Sequence, residues 1–106
     1  MARYLLQASY TAEGIRGVKK EGGTGRRAAV EQAIKELGGT VEAFYYAFGK
    51  KDVYLIVDYP DNKTAAAVAM TVGASGLVHV ETTVLLTPEE IDDAAQISVD
   101  YRPPGQ

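Results

Sequence analysis

Apolar and polar positions repeat with two different periods along this chain, and each change of period marks an element. "RYLLQASY" (3–10) is dense in aliphatic and aromatic residues and predicts a strand. In "RRAAVEQAIKEL" (26–37), Val30, Ala33, Ile34 and Leu37 recur at helical spacing, and the pair Gly38-Gly39 ends the run. "TVEAFYYAF" (40–48) and "DVYLIVDY" (52–59) predict two strands joined through "GKK" as a hairpin. "DNKTAAAVAMTVGASG" (61–76) predicts a second helix, capped by Asp61 or Asn62, with Ala65, Val68, Ala69 and Val72 on its buried stripe. "LVHVETTVLL" (77–86) predicts the fourth strand. Thr87, Pro88 and Glu90 then supply a cap, a first-turn proline and a carboxylate three residues after the cap, which is the signature of a helix start.

Two stretches lack this order. The five glycines of 11–25 argue against a long helix and predict a loop, with at most a short helical turn after Thr11. Residues 96–106 carry two prolines and a glycine near their end and predict an irregular tail to a single domain spanning 1–95.

Strand, helix, strand, strand, helix, strand is the βαββαβ order of an α+β, ferredoxin-like split βαβ fold. It places two helices on one face of a four-stranded antiparallel sheet and leaves the other face open. Alternation assigns Gln7 and Ser9, Tyr54, Ile56 and Asp58, and His79, Glu81 and Thr83 to that open face. In the second strand it puts Val41, Ala43 and Ala47 under the helices, with Tyr45 as the exception, and turns Glu42, Phe44, Tyr46 and Phe48 outward. A face bearing so many aromatics predicts self-association, most simply a homodimer enclosing a barrel-like cavity.

Composition narrows the function classes. At 106 residues with 46% hydrophobic and 24% charged content, the chain is sized for one soluble domain. A net charge of −3 predicts no nucleic-acid or membrane partner, and the N-terminal run is too short and interrupted for a signal peptide. The lack of cysteine rules out disulfides and thiolate metal sites and fits a cytoplasmic protein.

"GGTVEAFYYAFGKKDVYLIVDYPDNKTAAAVA", the later "ETTVLLTPEE" and the opening "YLLQASYTAEGIRGVK" resemble the GYD-domain family of small bacterial proteins. The resemblance spans about residues 3–92 and implies a ferredoxin-like fold and an oligomer, but no settled reaction. The family's Gly-x-Tyr-Asp motif reads Gly49-Lys50-Lys51-Asp52 here, with Lys51 in the place of the tyrosine.

The candidate chemistry is sparse. His79 is the single histidine, and Glu81 stands two residues on, so a strand sets them side by side. With Tyr46 or Tyr54 as a proton donor, that pair predicts a cofactor-independent enzyme acting on a small organic molecule, such as an oxygenase or isomerase. The competing reading is a homo-oligomeric structural, sensing or small-metabolite-binding protein without catalysis. Arg26 and Arg27 beside a helix start are its candidate anion contacts, with Gln7 and Ser9 as polar contacts in the cavity. One histidine and no spaced ligand cluster predict no metal, and the glycine motifs of 17–28 lack the lysine or the preceding strand that a nucleotide loop needs. No cofactor is expected.

Overall fold

The computed structural model describes residues 2–106. The elements follow as β1 (Ala2–Tyr10), α1 (Ala12–Glu21), α2 (Gly23–Glu36), β2 (Thr40–Tyr46), β3 (Val53–Tyr59), α3 (Asn62–Ala74), β4 (Val78–Leu85) and α4 (Pro88–Ala95). The strands form one antiparallel sheet in the order β2-β3-β1-β4, so β1 and β3 are central and β2 and β4 are edges. This is the α+β, ferredoxin-like arrangement expected from the element order.

Strand parity separates the two faces. Tyr4, Leu6 and Ala8 of β1 and Val53, Leu55, Val57 and Tyr59 of β3 are buried together on the helix side. Ile34 of α2 and Ala65 of α3 pack onto them. Opposite lie Leu5, Gln7, Ser9, Tyr54, Ile56 and Asp58, with His79, Glu81 and Thr83 from β4. These assignments agree with the alternation.

β2 departs from it. Val41 faces Val57, but Ala43 faces Ile56, so one extra residue at Glu42 breaks the register. Strand side chains alternate with period 2, so a single unpaired residue inverts every position after it. Phe44 and Tyr46 therefore turn to the helix side, where Phe44 packs against the core, while Ala43 and Tyr45 turn outward. The outward placement of Phe44 and Tyr46 is corrected accordingly. β2 also ends at Tyr46, and Phe48 lies in the connection, beyond the strand.

The glycine-rich stretch is helical. Thr11 caps α1 by accepting from the Gly14 N–H at 3.1 Å, and Lys19 and Lys20 sit in its last turn, where cations oppose the helix dipole. Gly14 is needed for closeness rather than flexibility: a Cβ there would lie 2.2 Å from the Leu77 carbonyl oxygen. Gly22, at φ 85°, is the joint between α1 and α2. What reads as a loop in sequence is two helices meeting at one left-handed glycine.

The hairpin end is fastened to β1. The Asp52 N–H donates to the Ala8 carbonyl at 2.8 Å, and the Asp52 carboxylate accepts from the Tyr10 N–H at 2.8 Å. At α4 the capping box forms in both directions between Thr87 and Glu90.

The register break yields a direct test by urea unfolding. Phe44→Glu places a charge against the core and lowers stability by about 3 kcal/mol or more. Tyr45→Glu, on the outward face, changes the unfolding free energy of a single chain by less than about 0.5 kcal/mol. Without the break the two results exchange places.

Candidate functional site

The residues singled out in the sequence fall on opposite sides of the sheet. On the open face, Ser9 pairs with His79 and Gln7 with Glu81 on one side and with Tyr54 on the other. Tyr46 is not among them: its hydroxyl donates to the Gly23 carbonyl at 3.0 Å, at the start of α2 on the helix side. Of the two tyrosines paired in sequence with His79, only Tyr54 shares its face.

Lys51 completes this polar corner. Its Nζ lies 2.7 Å from Glu81 Oε1, reaching across β1, and its side chain is largely covered. The Lys51 hydrogen bond and charge hold the Glu81 carboxyl below its usual value of 4.5, with His79 a smaller contributor. The principal partner of Glu81 is therefore Lys51, the residue standing in place of the motif tyrosine. The Ser9 hydroxyl is also engaged, donating to the Lys50 carbonyl at 2.9 Å. The arrangement ties the hairpin tip to the far edge strand.

The helix side holds a different feature. α2 packs on the sheet through Ile34 and Val30, while its Ala29 and Ala33, one turn apart, and Ala65 and Ala69 of α3, likewise spaced, border the gap between the helices. Alanines leave the space that larger side chains would fill. The result is a cleft of about 400 Å³ between α2, α3 and the sheet, with Leu6 and Leu55 on its floor and Phe44, Val30, Val68 and Val72 on its walls. That volume lies within the range of small-molecule sites.

Besides Thr71, Ser75 and Thr82, the cleft has further polar groups in its lining. Arg26 and Tyr10 line it near the hairpin end. Arg26 Nη1 stands 3.4 Å from Glu21 Oε1, while its Nε is buried without a hydrogen-bond partner. Burial pushes the Tyr10 hydroxyl upward, Tyr46 adds to the shift, and the Arg26 charge offsets part of it. Tyr10 is thus a neutral donor at ordinary pH. A second unpartnered polar atom is the hydroxyl of Tyr59, a fully buried residue whose side chain borders the cleft. Its neighbour Tyr4, with ring centroids 5.3 Å apart, instead donates its hydroxyl to Asn62 Oδ1. Burial pushes Tyr59 up to about 12.

Arg27 is bound to its own helix, 3.8 Å from Glu31, and is half exposed. The four candidate ligand contacts therefore do not converge. Arg26 belongs to the cleft, and Gln7 and Ser9 to the open face. Neither Tyr10 nor Tyr59 stood out in sequence, where both read as strand-terminal aromatics. Among the described residues, no group of three or more His, Cys, Asp or Glu is placed to hold a metal ion. No helix among them is long and apolar enough to cross a membrane.

The GYD-domain family model matches residues 4–95. The chain belongs to the GYD-domain family. No match was found among curated proteins or among solved structures. In this GYD-domain protein, the motif aspartate, Asp52, clamps the hairpin to β1, and the lysine before it carries the ion pair to β4.

Two titrations check this geometry. The Glu81 pKa is depressed in the fold, so its contribution to stability is present above pH 4.5 and is lost as pH falls through the lower folded value. In Lys51→Ala, NMR titration should find Glu81 back near its usual value, and the acid limb of the stability profile should flatten. Tyr59 behaves oppositely: raised from 10.0 to about 12, its contribution is full below pH 10 and is lost as pH rises toward 12. Tyr59→Phe should flatten that alkaline limb and, by deleting an unpaired buried hydroxyl, stabilise the chain by about 1 kcal/mol at pH 7.

Proposed function

We propose that this GYD-domain protein is a homo-oligomeric binding protein for a small organic anion with an apolar body. The ligand lies in the cleft between α2 and α3. The observation that carries this reading is the cleft itself: about 400 Å³, walled largely by apolar side chains, with Arg26, whose Nε has no partner, and Tyr10 among its lining residues.

The chemistry follows from the lining. An aliphatic or aromatic body gains about 25 cal/mol for each Å² it buries against Leu6, Leu55, Phe44 and the valines. A carboxylate or similar group takes the Arg26 guanidinium and the Tyr10 hydroxyl at the hairpin end, near the first turn of α2. Binding rather than turnover is favoured, because Glu81 is held by Lys51 and Tyr46 by Gly23. The open face, with Leu5, Ile56, Tyr45 and Tyr54, supports the self-association.

The test uses cis-parinaric acid, a fluorescent carboxylate with an apolar chain. The wild-type chain should bind it with a fluorescence rise. Arg26→Ala should weaken binding by about 10- to 100-fold, the worth of one charge-assisted hydrogen bond. Ala69→Leu should fill the cleft, stabilise the fold by about 1 kcal/mol and abolish binding. If Ala69→Leu binds the probe as the wild type does, the cleft is not the site.

A further inference from the structure

The C-terminal segment stands away from the domain. Every residue from Pro88 to Gln106 is exposed, including Ile91, Ile97, Val99 and Tyr101, with Val99 78% accessible. The radius of gyration is 17.0 Å, where a compact domain of this length has about 13 Å. Ile97, Val99 and Tyr101 alternate with Ser98, Asp100 and Arg102, which is the pattern of a strand with one apolar side. No strand forms there within a single chain.

We infer that residues 97–101 add as a strand to the β4 edge of a second copy, closing a reciprocal dimer over the open faces. Three observations point to that occupant. First, a strand laid flat on an apolar face would leave its amides unpaired, whereas an edge satisfies them. The β2 edge is interrupted by its bulge, and β4 offers Val78–Leu85 without interruption. Second, the charge is polarised along the strands. Glu89, Glu90, Asp92, Asp93 and Asp100 extend from the end where β4 finishes, with Arg102 the sole cation among residues 88–106. Arg16, Lys19 and Lys20 of α1 and Lys50 and Lys51 of the hairpin gather at the opposite end. A two-fold axis perpendicular to the strands sets the acidic end of each copy against the basic end of the other, while a parallel axis would join like to like.

Third, the exchanged arm enlarges a contact that must bury roughly 800 Å² of accessible surface per partner to hold a stable dimer. The arm brings Ile97, Val99 and Tyr101 to this contact, and its two sides run beside His79, Glu81 and Thr83 on the open face of the partner's β4 and beside Val78, Val80 and Val84 on the other. The proposal does not depend on the cleft, which lies on the other side of the sheet.

Sedimentation velocity and light scattering of the full chain test it. At micromolar concentration the mass should be twice 11.4 kDa. Val99→Pro, which removes an edge donor, and Ile97→Asp should each raise the dimer dissociation constant by about tenfold or more. Circular dichroism should keep the signal of the four strands and four helices and lose only that of the added strand, because both side chains are exposed in a single copy. Added salt should weaken the dimer, and Lys19→Glu with Lys20→Glu should weaken it further. A mass of 11.4 kDa, or a dimer indifferent to Val99→Pro and Ile97→Asp, overturns the inference. So does a monomer whose 97–101 amides resist hydrogen exchange, which would place the arm on its own β4.

Discussion

Between Val41 and Ala43, β2 holds one residue that no residue of β3 matches. Because strand side chains alternate, that residue determines which of four consecutive aromatic and apolar positions meets the helices. It sends Phe44 into the core and Tyr46 under the start of α2, where the tyrosine hydroxyl fixes the Gly23 carbonyl. The beginning of α2 in turn sets the position of Arg26, three residues on. The same inversion exposes Tyr45 and leaves Ala43 outward, so the open face carries fewer aromatics than alternation alone predicts. Cleft and open face are thus two consequences of one unpaired residue.

Legibility in the sequence followed the range of the forces involved. The helix stripe of Val30, Ile34 and Leu37, the α4 capping box and the parity of β1, β3 and β4 depend on near neighbours, and they were readable. The bulge was not, since Glu42 carries no local mark; its extra residue is accommodated only when β2 pairs with β3. α1 was missed for a related reason. Gly14 signals a broken helix until Leu77, 63 residues later, is seen pressing its carbonyl against that position. Thr11 and the Lys19–Lys20 pair were the local cues that pointed the right way.

The site was half legible on the same principle. His79 and Glu81 share a face because residues two apart on one strand must do so. Lys51, in contrast, reaches Glu81 by crossing β1, a contact between residues 30 apart that no spacing rule anticipates. The ion pair and the Asp52 clamp make the hairpin tip part of the sheet, fastening β3, β1 and β4 at one end. That end is also the basic one, and Arg26 and Tyr10 line the cleft beside it. Anchoring and charge therefore coincide, while the opposite end carries the acidic α4 and its free tail.

The two orphaned polar atoms bear most directly on what the cleft is for. A buried hydroxyl without a partner costs roughly 1–3 kcal/mol, a large fraction of the stability of a chain this size. Tyr4 shows that the fold can satisfy such a group, since its hydroxyl reaches Asn62 only a ring away from Tyr59. Phenylalanine at position 59 would keep the packing and remove the cost. The alanines at 29, 33, 65 and 69 carry a parallel cost, because they forgo the apolar burial that leucines would gain. An unfilled volume and an unsatisfied Arg26 donor in its lining are each unfavourable in the empty protein. In the complex proposed above, both are recovered by the same event: entry of a molecule with an apolar body and a group that accepts from the guanidinium.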